Sequence, residues 1–487
     1  MKWKSTALLL VTTIGIGTYI SLYEIKQPSP EEREHLSKQI LNLKPESLTQ
    51  IVLDMPQAKV TLAHTAAGWK LTPANIRAEE TRVSQITAAL SPLAAQRILT
   101  GTKERPLNPK DYGLDPAVGW LSLVTDAAPT TLQFGDKTAV DNNRYLRVAN
   151  RPEIFIIPSA LFDAVNVTAD TFRDHALIQV NSWMTDKIRI HSAGSTRLLE
   201  RRENAWYLVE PVADRADRTQ ITGVLDGLGR IPIVRFVDDA PQVEHLADWG
   251  FEAPYAEIRL SGAEMPEPIT LFIGKPLPDD GSLRYAKRSD EPPLYAISAK
   301  QLEPVLQDPN TWRAKTCFEF FTASVTRVEL VHEGKTLVLE RKDLPAVGQQ
   351  PADPGPTRAG AGTQWQVAGT NIVLDTAKVE TLLSRFADLR LSGFVEDAPT
   401  DLARYGLAQP QGTIAMWSSG AQEPQRMTIG GTIDQTTEHY GRIDGRSAIV
   451  KLPALVTELL GTTADSLTQV SDTKAVSDTA ATSSARR

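Results

Sequence analysis

Cysteine is almost absent. Cys317 is the only one, so no intrachain disulfide and no multi-cysteine zinc or iron–sulfur site can form. Nothing here requires an oxidising compartment, and nothing excludes one. An excess of basic residues is also lacking: 52 Lys and Arg against 59 Asp and Glu leave a formal charge of −7. Nucleic-acid affinity rests on clustered Lys and Arg, so no nucleic-acid partner is expected. Catalytic motifs are missing as well. There is no His-Glu-x-x-His and no Gly-x-Ser-x-Gly, and the seven histidines are scattered singly, without the short local spacings of common zinc sites. Gly334-Lys335-Thr336 ends like a phosphate loop, but Glu329 stands where the first glycine is required, so Lys335 reads as a hairpin-turn residue. No catalytic, cofactor-binding or metal-ligating residue is assigned, no cofactor is expected, and the chain reads as a non-enzyme.

Long hydrophobic runs are limited to one. Ser5 to Tyr23 is 19 residues without a charge, or about 28 Å as a helix at roughly 1.5 Å per residue, enough to span a bilayer core. A cleaved signal peptide is the alternative. It needs a small-x-small cleavage site, whereas this run ends in Thr18-Tyr19-Ile20-Ser21-Leu22-Tyr23, and no lipobox cysteine follows. An uncleaved anchor over residues 5–23 is expected in a bacterial inner membrane, with Lys2 and Lys4 holding a tip of residues 1–4 in the cytoplasm. The chain from Glu24 on should then be extracytoplasmic, starting with a linker over residues 24–45.

What is abundant is ordinary globular sequence, 41% hydrophobic and 23% charged, over 487 residues. That length suggests about three domains at roughly 150 residues each, and the sequence repeats three times. Gly68-Trp69-Lys70-Leu71-Thr72-Pro73 recurs as Ala205-Trp206-Tyr207-Leu208-Val209-Glu210-Pro211 and, more loosely, as Gln364-Trp365-Gln366-Val367. Tyr112-Gly113-Leu114-Asp115-Pro116 is answered by Trp249-Gly250-Phe251-Glu252-Ala253-Pro254 and by Tyr405-Gly406-Leu407-Ala408-Gln409-Pro410. A strand-ending glycine follows in each repeat, Gly135, Gly274 and Gly430, and then a tyrosine, Tyr145, Tyr285 and Tyr440. From Trp to aromatic-Gly the offsets are 43, 43 and 40 residues, and from that aromatic to the glycine they are 23, 25 and 25. Chance does not keep such marks in register three times. Three modules result, over residues 46–176, 177–319 and 320–464. Residues 345–362, rich in Pro, Gly and Ala, read as a loop insertion in the third, and residues 465–487 as a disordered tail.

Each module reads as α+β with mainly antiparallel sheet. In the first, Gln50 to Met55 and Lys59 to His64 alternate apolar and polar residues and predict a hairpin, with Trp69 on the next strand. Val83, Ile86, Leu90 and Leu93 then recur at helical spacing from a start near Glu79, and Pro92 must bend or end that helix. Asp217 and Asp375 precede the corresponding helices and are read as caps rather than metal ligands. Four more strands and a short helix follow. The glycine after each third strand is expected to supply a turn at positive φ.

The recurrent Trp-x-Leu with a proline two or three residues on, the aromatic-Gly-Leu/Phe element with a proline likewise two or three residues on, the strand ending in Ile/Phe-Gly and the following Tyr-x-Arg/Lys resemble the bacterial domain of unknown function 4340 family. The resemblance covers nearly all of residues 46–464, behind an amino-terminal anchor. Members are often encoded beside ABC-transporter components similar to those of gliding motility, which implies an accessory role, with a partner protein in such a complex. The family carries no established catalytic residue to transfer. Module three departs from the pattern, because no proline follows Trp365 at the expected distance.

Two functional classes stay open on the sequence. One is a membrane-anchored, non-enzymatic accessory or scaffold protein whose repeats bind another protein. The other is an envelope glycan-binding or glycan-cleaving protein that uses a cleft between modules, with Asp111, Asp115, Asp248 and Glu252 as candidate carboxylates. Exposure of Tyr145, Tyr285 and Tyr440 would favour the second.

Overall fold

The computed structural model describes residues 37–126, 128–343 and 363–468. The expected anchor over residues 5–23 and the loop insertion over residues 345–362 lie outside the described residues. Among the described residues no helix is long and apolar enough to cross a membrane. The chain divides into two compact units. One holds residues up to Val180 together with Gly227–Arg259 and Ile269–Glu303; the other holds Asn181–Asp226, Leu260–Pro268 and the residues from Pro304 on.

The first unit contains a complete nine-stranded antiparallel sheet, in the order Ile76–Arg77, Gly68–Thr72, Lys59–Thr65, Leu48–Asp54, Gly119–Thr125, Thr130–Lys137, Asn143–Val148, Ile154–Pro158 and Arg97–Leu99. The predicted hairpin forms, with Ile51 opposite Leu62 and Leu53 opposite Val60. Its first strand continues the sheet by pairing Ile51 with Leu123 and Leu53 with Leu121, some seventy residues on. These alternating residues are all buried, each worth about 1.5–3 kcal/mol of apolar burial. Their cover is helix Glu80–Leu90, whose Val83, Ile86 and Leu90 are buried in the same core. The strand before this helix lies at one edge of the sheet and Arg97–Leu99 at the other, so the helix joins opposite edges. Helical residues stop at Leu90, ahead of Pro92, as the missing proline N–H requires.

Two short stretches extend the order beyond the sequence expectation. Within the predicted linker, Gln39–Leu41 forms a strand paired with Leu93–Ala94, and Ile40 is buried. At the other end, residues 465–468 of the predicted disordered tail are ordered. Ala464–Leu467 is a helical turn with a capping box at Thr463, and buried Leu467 joins the core. Its carbonyl accepts from the Asp375 N–H, so apolar burial and a backbone bond override the Ser/Thr/Ala composition.

The same plan recurs. In the first unit, strands Ile269–Pro276, Leu283–Arg288, Leu294–Ser298 and Arg235–Asp238 lie side by side in the order of the second half of the first sheet. In the second unit, Asp214–Arg215, Ala205–Glu210, Ser195–Arg202 and Lys187–Ser192 repeat the first half. That unit also holds a complete eight-stranded sheet, from Thr363–Val367 through Lys335–Asp343, Val325–His332, Gly412–Ser418, Gln425–Thr432, His439–Ile443 and Ile449–Leu452 to Gly393–Glu396. Among the described residues it lacks the two-residue edge strand seen beside Trp69 and Trp206. A single bridge, Gln366 to Val373, stands there instead, in the module without the proline.

Helix starts follow the acidic residues. Asp217 accepts the N–H groups of Thr219 and Gln220 at 2.8 and 3.1 Å, and Asp375 those of Ala377 and Lys378 at 2.9 and 3.4 Å. Glu79 accepts from Thr81 at 3.3 Å. All three carboxylates are used as caps.

Candidate functional site

The repeated marks converge on one structural knot per module. Gly113, Gly250 and Gly406 have φ of 63°, 82° and 67°, a region that side chains with a Cβ rarely adopt. The turn they make drives the carbonyl of the preceding aromatic residue onto the glycine expected to end the next strand, which instead lies two residues before its end, inside Thr130–Lys137, Ile269–Pro276 and Gln425–Thr432. A Cβ on Gly135 would lie 2.3 Å from the Tyr112 oxygen, one on Gly274 2.1 Å from that of Trp249, and one on Gly430 2.2 Å from that of Tyr405. This corrects the expectation for the strand-ending glycines. None of the three is among the positive-φ residues; they are required by close approach of another backbone segment.

The fourth mark completes the knot. Tyr112 and Tyr145 meet edge to face at 4.9 Å, and Tyr405 and Tyr440 at 5.0 Å. In the second repeat, Trp249, Phe251 and Tyr285 share a small apolar cluster with Leu277 and Leu294. A cation closes two of the knots. Arg144 donates to the Gly135 carbonyl at 2.5 Å and Arg284 to that of Gly274 at 3.0 Å. Burial pulls the Arg144 pKa down, opposed by the nearby Asp163 and Asp136. The third repeat has buried His439 in this place, its Nε2 within 2.9 Å of the Thr457 hydroxyl.

Burial of the aromatic marks is uneven. Trp206 and Trp365 are 7% and 2% exposed, whereas Trp69 is only partly buried beside its core, against His64. Tyr285 and Tyr405 are buried; Tyr112, Tyr145, Trp249 and Tyr440 are half-buried. The candidate carboxylates sit on exposed turns. Asp111 accepts from the Asn108 amide at 3.2 Å, and Asp248 lies 3.0 Å from His245. Among the described residues no group of three or more His, Cys, Asp or Glu side chains is placed to hold a metal ion.

Two open depressions carry mixed linings. One, of about 280 Å³, lies beside the Gly334-Lys335 turn, between Leu330, His332 and Leu460. Gly334 sits there at φ 76° between strands paired from His332 to Lys335, so this segment is a hairpin turn as predicted. The other, of about 300 Å³, is bordered by Gly101, Leu107, Arg147 and Arg151. Both arginines are engaged: Arg147 donates to Gln133 at 2.8 Å and Arg151 to the Ile40 carbonyl at 3.3 Å.

Two aromatic residues that sequence reasoning missed are the most exposed rings of the second unit. Trp183 is 79% exposed and Phe321 84% exposed. Both lie just before the first strand of a repeat, on backbone pinned from the same register position. Arg201, opposite Trp206, donates to the Trp183 carbonyl at 2.5 Å, and Arg341, opposite Trp365, donates to the Ala323 carbonyl at 2.5 Å. The Asn181 side chain also accepts the Trp183 N–H at 3.0 Å, and the Ser324 hydroxyl donates to the Phe321 carbonyl at 2.7 Å. Asp186 holds Arg201 in place at 2.6 Å. Its carboxyl is held below the usual range, first by the Ala263 N–H and then by the Arg201 guanidinium. Periodicity could not flag these rings: Trp183 precedes Met184 in a short turn, and Phe321 follows Phe318 and Phe320, from which its exposure cannot be told apart by spacing. In the first repeat the corresponding turn carries Lys44, Pro45 and Glu46.

Comparison with curated proteins and with solved structures returned no match. One family model, described as "Domain of unknown function (DUF4340)", matches residues 69–207, 206–359 and 365–471, each match beginning at or next to one of the three repeated tryptophans. With three successive matches over most of its length, and with the repeated residues forming the same knot three times, the chain belongs to the DUF4340 family.

Proposed function

We propose that this protein is a membrane-anchored, non-enzymatic accessory or scaffold subunit whose extracytoplasmic repeats dock a protein component of an ABC-type transport complex. The observation that carries the docking is the pair Trp183 and Phe321, each more than three-quarters exposed on a turn whose carbonyl is bound by an arginine. Exposed aromatic residues on fixed backbone lose little entropy when covered, which is how binding hot spots are built. The residues that actually repeat are used up in knots and cores, so repetition here builds surfaces. Anchoring is supported by the uncharged run from Ser5 to Tyr23 behind Lys2 and Lys4. The glycan reading is less supported, because Tyr285 is buried and Tyr145 and Tyr440, half-buried, lean on neighbouring tyrosines.

The test is affinity purification of the full-length chain from membranes in mild detergent, followed by mass spectrometry. Co-enrichment of a transporter subunit should be lost with the W183A/F321A double variant and kept with D111N/D115N. Retention by the aromatic double variant would remove the assigned surface. Loss of cellular function from one carboxylate, with binding intact, would favour the glycan-active reading. A reporter that works only outside the cytoplasm, fused after Leu467, checks the topology; activity only from a cytoplasmic reporter would overturn it.

A further inference from the structure

Each compact unit contains a buried charge cluster where one repeat meets the next, and the two clusters are built on one plan. In the first unit, Arg173 pairs with Asp239 at 2.6 Å and stacks over Phe236. In the second, Arg313 pairs with Asp397 at 2.7 Å and stacks over Phe394. Beside this shared pair lies a second one whose polarity is reversed. In the first unit Arg77 pairs with Glu291 at 2.5 Å and also binds Asp174. In the second Asp214 pairs with Arg446 at 2.7 Å and also binds Arg313 at 2.7 Å.

Register makes the reversal more than a coincidence of neighbours. Leu294 pairs with Asp238 and Ile449 with Glu396 at the same place in their sheets, so Glu291 and Arg446, each three residues earlier, are equivalent positions of repeats two and three. On the receiving side, Arg77 and Asp214 both belong to the two-residue strand that follows the Trp strand, although they occupy adjacent rather than identical positions. Buried exposure is small throughout: side chains of Glu291, Asp214 and Arg446 are 4%, 2% and 3% exposed, and that of Arg77 16%. Several of the remaining polar atoms bond locally, although Arg173 Nε and Arg313 Nη2 are buried without a hydrogen-bond partner. Arg446 donates to the Ala314 carbonyl at 2.6 Å, Arg77 to that of Ala176 at 2.5 Å, and the Tyr295 hydroxyl to Glu291 at 2.6 Å.

We propose that this reversed pair is a polarity code that assigns to each junction surface its own partner, the next repeat of the same chain. Repeats with similar folds are prone to docking in the wrong order or across two copies. Here a third repeat docked on the first would place Arg446 against Arg77, and a second repeat docked on another copy of itself would place Glu291 against Asp214. Asp174 beside Arg77, Arg313 beside Asp214 and Arg288 at 3.6 Å from Glu291 are retained in either wrong pairing, but each wrong pairing replaces one buried opposite charge by a like one, which costs more than the exposed equivalent because little water screens it. A neutral pair would hold the right junction together but would not reject the wrong ones.

The test uses the full chain and its native thiol. Cys317 is buried on the segment that follows Arg313, its N–H bonded to the Leu389 carbonyl at 3.2 Å; because Arg446 also bears on the thiol's ionisation, its labelling is read at reagent concentrations and pH where the rate no longer depends on pH and so reports opening of this junction. R446E should raise the rate at least tenfold over R446Q, and D214K/R446E should bring it back at least halfway, on a logarithmic scale, toward wild type. Amide exchange in the first repeat, measured on the same samples, should stay at the wild-type level and shows that the variants fold. The mirror arm is E291R, which should deprotect the amides of residues 174–177 relative to E291Q and leave Cys317 unchanged; it serves alone if R446E does not accumulate. Equal behaviour of the reversed and neutral variants at either junction, or no recovery in the double variant, would overturn the code.

Discussion

The carbonyl oxygen of Tyr405 stands 2.2 Å from where a Cβ on Gly430 would be. Two marks that are 25 residues apart in the sequence are therefore one contact in the fold. The spacing is kept because the turn at Gly406 and the strand carrying Gly430 must arrive together. The same holds for Trp249 with Gly274 and Tyr112 with Gly135.

Gly430→Ala is accordingly expected to destabilise the protein by about 1–3 kcal/mol, the usual range for forced overpacking. Gly281→Ala, where an added Cβ meets nothing within 4 Å, should change stability by no more than about 0.5 kcal/mol. Urea unfolding followed by tryptophan fluorescence separates the two. Equal midpoints would mean that the backbone can move apart at Gly430 without loss.

Much of this architecture was legible in the sequence. The hairpin from Leu48 to Thr65 and the helices ahead of which Glu79, Asp217 and Asp375 stand follow from period-two and helical spacing with an acidic cap. What stayed hidden depends on partners far along the chain. Strands of two residues, such as Ile76–Arg77 and Leu93–Ala94, carry no periodicity and exist only because an edge is offered to them. The role of Gly135, Gly274 and Gly430 was misjudged for the same reason: a local reading sees a turn residue, whereas the constraint comes from a carbonyl twenty-odd residues earlier. The buried Arg77–Glu291 pair joins residues 214 positions apart, which no spacing rule reaches. Trp183 and Phe321 escaped because exposure, unlike burial, leaves no pattern along the chain.

Acid should loosen the turn that carries Trp183. The Asp186 carboxyl is depressed by the Ala263 N–H and by Arg201, so its folded-state pKa lies below the unfolded value of about 3.9. A depressed carboxyl contributes stability that is fully present above the unfolded pKa and is lost as pH falls through the folded one. Asp186→Asn should therefore lower the urea midpoint at pH 7, and the gap to wild type should close as pH is taken below about 4. A gap that persists unchanged to pH 3 would show that ionisation of Asp186 contributes nothing. Exchange of the Trp183 and Met184 amides, both bonded to the Asn181 side chain, should rise over the same interval.

The lone thiol gives the last prediction. Cys317 is 3% exposed among apolar neighbours that include Phe318 and Phe386. Burial pushes its pKa up to about 12, with Arg446 and Arg390 acting in the opposite direction. Only the thiolate attacks a disulfide reagent, so at pH 8 the reactive fraction is on the order of one part in ten thousand, against about a quarter for a free cysteine of pKa near 8.5. Burial then adds a steric barrier to the same reaction. In the native protein, labelling by an aromatic disulfide at pH 8 should be at least a thousandfold slower than for free cysteine, and it should reach the free-thiol rate in denaturing urea. Raising the pH to 9 should speed native labelling about tenfold if the thiol reacts from the folded state. A pH-independent rate would show instead that opening of the structure limits the reaction, and a native rate close to that of free cysteine would contradict the burial on which both expectations rest.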